Sequence, residues 1–139
     1  MITRVLGGTL LMFISAVAFA QTPERPRPLA TLPADATSVS EYYRQPVYDP
    51  ADQKLGQVVD ILVEKDGQAP AAIVSVGRFL GLKRKNIAVP FSALQRLHKE
   101  RKPYLVLDMS EDTLNSAPAF KFNRVTRRWE LEEPPIPKW

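Results

Sequence analysis

Few side chains in this sequence have the chemistry of catalysis. His98 is the single histidine, cysteine is absent, and Ser75 and Ser92 lack the Gly-x-Ser-x-Gly context of a nucleophile elbow. A histidine acting as general base needs a group that orients its ring. The near neighbours of His98 are Arg96, Lys99 and Arg101, none of which does that. Asp49, Asp52, Asp60, Glu64 and Asp66 are the acids that stand closest together in the first half. The run Asp49-Pro50-Ala51-Asp52-Gln53-Lys54-Leu55-Gly56 puts Gln53 at the fifth place of a would-be calcium loop and supplies no closing glutamate. These acids read as turn and surface residues. Without cysteine there is neither a disulfide nor a thiolate metal site. The chain reads as non-enzymatic, with no catalytic set, no metal set and no cofactor site.

Binding chemistry is better represented. Phe79 and Leu80 lie between Gly77 and Gly81, and Leu82 beyond them runs into Lys83, Arg84 and Lys85. An apolar tip beside positive charge suits an anionic bilayer surface or an acidic partner. The competing use of Phe79 and Leu80 is to plug the end of a barrel. Further cations follow at Arg96, Lys99, Arg101 and Lys102, and again at Arg124, Arg127 and Arg128, in a chain of net charge +4. Trp139 ends a proline-rich stretch and is a second contact residue, for a partner or for the protein's own surface.

The N-terminus indicates an address. Arg4 precedes the apolar run Val5–Val17, and Ala18-Phe19-Ala20 places small residues before Gln21. That is the layout of a secretory signal peptide. The run is shorter than the ~20 apolar residues of a spanning helix, although an uncleaved inner-membrane anchor is the alternative. The expected location is the periplasm or the medium. Export sets nucleic acid aside as a partner and leaves a protein or an anionic envelope surface, with membrane association as the second reading. A small-ligand or metal carrier is a third.

The elements that would carry these residues are short strands. Thirteen prolines crowd towards the two ends, so one compact middle is expected between extended arms. The expected organisation is a signal peptide over 1–20, a proline-rich tether over 21–37, a folded domain over 38–120 and a basic, aromatic extension over 121–139. Strands are expected at Gln45–Tyr48, Leu55–Glu64, Ala71–Val76, Asn86–Val89 and Tyr104–Met109, with one more at Gln95–Lys99. Pro46 suits a strand start or an edge. Asp49-Pro50-Ala51-Asp52 and Lys65-Asp66-Gly67-Gln68 are turns. Apolar residues occupy both parities of 55–64, so one end of the strand is covered twice or the strand bends, and Gly56 is the natural place for a bend or a close backbone approach. Ser92–Leu97 predicts a helical turn, and Ser110 caps a second that Pro118 ends. Val125–Leu131 offers a further strand, with Trp129 as a lid. Together these predict a mainly all-β fold: a small closed barrel of about six strands with one or two short helical turns.

The segment from Val39 to Phe120 resembles the PRC-barrel domain family. Pro46-Val47-Tyr48-Asp49, Leu55-Gly56-Gln57-Val58-Val59-Asp60 and Ile73-Val74-Ser75-Val76-Gly77 carry the resemblance. Phe79-Leu80-Gly81-Leu82, Ile87-Ala88-Val89-Pro90-Phe91 and Leu114 through Ala117-Pro118 continue it in order. The family includes the soluble domain of the photosynthetic reaction-centre H subunit and the C-terminal domain of a ribosome maturation factor. The resemblance implies a six-stranded barrel serving as a binding or assembly module, with no shared catalytic residue. It transfers fold better than function. A membrane span precedes the barrel in the first relative and the second works on cytoplasmic particles, so neither role carries over. The expected function is that of an exported adaptor.

Overall fold

The computed structural model describes residues 25–77 and 83–133. The chain divides into two units, Met1–Ala34 and Asp35–Trp139. In the first, residues 25–34 are exposed and form neither helix nor strand. The expected leader, 1–20, lies outside the described residues.

The second unit is built on one sheet. Its strands are β1 (Pro46–Tyr48), β2 (Lys54–Leu62), β3 (Ala71–Val76), β4 (Lys85–Pro90), β5 (Gln95–Lys99), β6 (Lys102–Val106), β7 (Phe120–Asn123) and β8 (Arg128–Leu131). They lie in the order β5-β6-β1-β2-β3-β4-β7-β8. All neighbours are antiparallel except β1 and β6, which run parallel. A six-stranded closed cylinder was expected. Among the described residues no ladder joins β5 to β8, so the sheet is open, and it has eight strands. The extra strands come from hairpins at the two ends. Both edges carry charge, at Arg96 and Lys99 and at Arg128 and Glu130, which is how edges resist further pairing.

Local chemistry explains most of the elements. Asp49 Oδ1 accepts a hydrogen bond from the Gln53 amide at 2.8 Å, closing the β1–β2 turn. In the β2–β3 turn Asp66 Oδ1 accepts from the Gln68 amide at 2.9 Å, and Gly67 takes φ +87°, open to glycine without strain. At Gly56 a Cβ would collide with the Ser75 carbonyl across the ladder. Of the two uses expected of Gly56 the structure shows the close backbone approach, and the bend lies elsewhere. The β2–β3 register slips between Val58 and Asp60. This bulge at Val59 reverses the parity of β2, so that Val58 and Ile61 both face the core.

One face of the sheet holds the core. Val47, Val58, Val74, Ile87, Val89, Leu105, Leu107 and Leu114 are essentially inaccessible, and each such side chain contributes roughly 1.5–3 kcal/mol by burial. Phe91–Ala93 is a single 3₁₀ turn whose Phe91 packs on this core, followed by buried Leu94. Helix α1 (Glu111–Ser116) starts where expected. Ser110 Oγ accepts from the Thr113 amide at 3.2 Å, Glu111 and Asp112 occupy the first turn, and Leu114 enters the core.

The opposite, outer face is covered in part by the terminal hairpin. Asp60 and Ile73 are cross-strand partners on this face, and Ile73 is inaccessible although it lies outside the core cluster. Trp129 on β8 donates its indole N–H to Asp60 Oδ2 at 2.7 Å. In a flat sheet β8 and β2 would be four strands, about 19 Å, apart. The β7–β8 hairpin therefore folds across the outer face, pivoting on the one register pair, Asn86 with Phe120, that holds β7 to β4. Trp129 is a lid, but over an outer face rather than a barrel mouth.

Candidate functional site

The expected contact residues are only partly described. Phe79, Leu80, Leu82 and Trp139 lie outside the described residues. Of the basic trio, Lys83 is exposed. Arg84 donates Nε–H to Ser75 Oγ at 2.9 Å. Lys85 Nζ donates to the carbonyls of Asn115 at 2.6 Å and Ala117 at 2.8 Å. Its charge sits at the C-terminal end of α1, where carbonyls without helical partners attract cations. Two of the three cations thus have structural bonds, to β3 and to α1.

His98 has a partner that sequence proximity did not reveal. Glu41 lies in the 3₁₀ turn Val39–Glu41, and its Oε2 stands 3.2 Å from His98 Nε2 and 3.3 Å from Arg96 Nη1. Arg96 and His98 alternate on β5 and so share a face. The trio ties the entry of the domain to its edge strand. His98 is half exposed and Glu41 holds it to Arg96, so the geometry is that of a surface clasp. Among the described residues no three acids or histidines gather to hold a metal ion.

A cleft of about 560 Å³ lies on the outer face, between β1 and the β5–β6 hairpin. Val47 and Leu105 are paired and face the core. Strand alternation then places Pro46, Tyr48 and Tyr104 outward. The two tyrosine rings meet edge to face, with centroids 5.8 Å apart and planes at 85°. Pro46 and Pro103 complete the apolar lining. Both lack an N–H, and the β1–β6 ladder is confined to Val47–Leu105 and Tyr48–Val106. The prolines thus fall where the ladder stops, and the sheet opens there into a wedge.

Charge rims this floor. The hairpin tip leans over β1 far enough for Lys99 Nζ to reach Asp52 Oδ2, in the β1–β2 turn, at 3.2 Å. That hydrogen bond, and then the charge of Asp52, raises the Lys99 pKa above its ordinary value. The pair is well exposed, so it orients the tip more than it stabilises the fold. Lys102 also lines the cleft, with Arg101 beside it. Neither side chain has a polar partner among the described residues. Glu100 and Arg101 form the two-residue turn at φ 51° and 66°. Asn-Gly suits this geometry. Bulky residues in the left-handed region cost about 1 kcal/mol or more each. Backbone strain, aromatic floor and unpaired cations meet at one place.

Sequence reading missed this cleft. Tyr48 and Tyr104 lie 56 positions apart, and only the parallel β1–β6 pairing joins them. The prolines at 46 and 103 were a visible signal of an interrupted ladder, but not of which strands it would join.

Fold and cleft define a small β-sheet domain with an aromatic cleft whose rim carries Lys99 and Lys102 beside Asp52 and Glu100. The PRC-barrel domain family model matches residues 35–112, more than half of the chain, and the chain belongs to that family. The match spans β1–β6 and the start of α1, and β7–β8 lies beyond it. No curated protein matches the chain.

Proposed function

We propose that this PRC-barrel protein is a non-enzymatic, exported adaptor that binds a protein or an envelope component through the cleft between β1 and β5–β6. The observation that carries the reading is the meeting of Tyr48 and Tyr104 with Lys102, a cation with no polar partner among the described residues. Rigid aromatic area with adjacent charge is the chemistry of interface anchors. The signal-peptide pattern of residues 1–20 supports the periplasm as the place of work, with cleavage after Ala20. Intact mass of the protein recovered from the envelope tests that cleavage.

The adaptor reading predicts a specific partner on crosslinking and affinity capture from the periplasm. Capture should fall at least about tenfold for Tyr104→Ala and Lys102→Glu; equal capture by both variants would refute the cleft as the contact. The membrane-surface reading rests on Lys83 to Lys85. The bonds of Arg84 and Lys85 to Ser75 and α1 favour the adaptor instead. Salt-sensitive binding to anionic vesicles, lost on reversing these three cations to Glu, would reverse that preference. A small-ligand or metal carrier would show as thermal stabilisation in a ligand screen.

A further inference from the structure

The cleft between β1 and the β5–β6 hairpin joins an aromatic floor to a rim of both signs. Lys99 and Lys102 line it together with Asp52 and Glu100. Two cations and two carboxylates cancel, so the rim selects neither an anion nor a cation by net charge. The cleft volume of about 560 Å³ falls within the ~300–1,000 Å³ of small-ligand sites. Two common peptide modes do not suit it. An added strand pairs with backbone N–H groups at the edge it joins. Pro46 and Pro103 stand where the β1–β6 ladder stops and supply none. A polyproline segment lies in a groove between aromatic side chains. Tyr48 and Tyr104 instead touch, with centroids 5.8 Å apart and planes at 85°, and leave no slot between them.

What the two rings offer is a rigid corner. Both tyrosines are half-buried and line the cleft. The C–H face of a sugar ring packs on such a plane, because its hydrogens meet the negative face of the π system. The polar groups are spaced for hydroxyls. Lys99 Nζ and Asp52 Oδ2 are 3.2 Å apart and well exposed. Neighbouring hydroxyl oxygens on a sugar ring also stand about one hydrogen-bond length apart, ~2.8 Å. One hydroxyl of such a pair donates to the carboxylate while the next accepts from the ammonium, which has further N–H groups to give. Gln45 donates Nε2–H to the Ser40 carbonyl at 3.0 Å, which leaves its amide oxygen to accept. Glu100 and Lys102 have no hydrogen-bond partner among the described residues.

From this combination of aromatic corner and balanced rim we propose that the cleft is a carbohydrate site, taking a short stretch of a neutral glycan chain. One sugar ring lies on the Tyr48–Tyr104 corner, and Asp52 with Lys99 reads a pair of adjacent hydroxyls. The proposal rests on the cleft being the binding surface proposed above, and it specifies the envelope component as a polysaccharide.

The test uses the full chain and three neutral probes: tetramers of N-acetylglucosamine, of β-linked glucose and of α-linked glucose. Calorimetry should show at least one of them binding with Kd below about 1 mM. The ligand is uncharged, so Kd should change less than about twofold between ~0.02 and ~0.5 M salt. Tyr104→Ala should weaken binding at least about tenfold, whereas Tyr104→Phe, which keeps the ring, should stay within about threefold of the parent. Asp52→Asn with Lys99→Gln should weaken it about fivefold or more. Both of those side chains are exposed, so the double variant probes the site without disturbing the packing. Circular dichroism checks each variant for folding.

Binding of none of the three tetramers would overturn the proposal. So would binding that either a folded Tyr104→Ala or the double variant leaves unchanged. An affinity that collapses with added salt would give the cleft to a charged ligand, and displacement of the sugar by a proline-rich peptide would give it to a protein. Protein capture that still depends on Tyr104, with no tetramer bound, would leave the adaptor reading standing while this inference fell.

Discussion

The two hairpins that end the sheet are built to opposite specifications. The β7–β8 hairpin is laid against the outer face and held by a short bond from the Trp129 indole to Asp60. Its turn is satisfied from within: Asn123 Oδ1 accepts from the Val125 and Thr126 amides, and Asn123 and Thr126 both donate to Glu130. Phe122 packs on Trp129 at a ring distance of 5.5 Å. The β5–β6 hairpin stands off the sheet over an open cleft. It has two non-glycine residues in the left-handed region against one, Arg127, in the β7–β8 turn, and an exposed ion pair as its link to the β1–β2 turn. One hairpin covers and the other exposes. Turn chemistry that a sequence could easily have relaxed is kept strained beside the cleft, where strain is expected if a site needs a fixed shape.

That contrast can be broken from either side. Trp129→Ala should have the largest effect, destabilising the fold by about 3 kcal/mol as it uncovers Ile73 and strands Asp60. Urea denaturation with an unchanged slope reads this, and a loss below about 1 kcal/mol would mean the hairpin merely rests on the sheet. Trp129→Phe keeps most of the packing and loses the bond to a carboxylate, so about 1.5 kcal/mol is expected. On the other hairpin, Glu100→Asn with Arg101→Gly should stabilise by about 1 kcal/mol while weakening partner capture through loss of a cation. Destabilisation by that pair would show the turn to be unstrained.

The smallest effects are in pH, and they have opposite signs at the two ends. Hydrogen bonds from Asn123 and then Thr126 lower the Glu130 pKa. A carboxylate with a depressed folded value contributes fully above its unfolded pKa and loses that contribution as pH falls through the folded one. Acid below the ordinary glutamate range should therefore loosen β7–β8 first. Lys99 is raised, so its contribution is full below the unfolded value and fades as pH climbs through the folded one. Alkali above the usual lysine range should loosen β5–β6. Amide exchange at Thr126 and at Lys102 across pH follows the two events. Simultaneous opening would mean that the hairpins are one cooperative unit.

Much of the fold was legible along the chain. Ala71–Val76 and Gln95–Lys99 run between the limits expected for them, because turn residues or prolines punctuate short β-branched runs. Ser110 caps α1 through its own side chain, an interaction spanning three residues. The double-sided apolar pattern of β2 signalled an irregularity, and the bulge at Val59 is that irregularity. The closed cylinder failed as an expectation because closure depends on where the last strands go. Asp60 and Trp129, 69 positions apart, send them across the outer face. The candidate site was illegible for the same reason, as was the pairing of His98 with Glu41.

The local grammar of this protein is written along the chain: which runs are strands, which residues turn, where a helix is capped, and the family to which the pattern belongs. Those are interactions over a few bonds, and side-chain type settles them. The folded arrangement settles that the sheet stays open, that Tyr48 meets Tyr104, and that Arg84 and Lys85 bond inward while Arg101 and Lys102 have no polar partner among the described residues. Such outcomes hang on which distant strands pair, and loop closure brings those partners together with no mark on the residues between them.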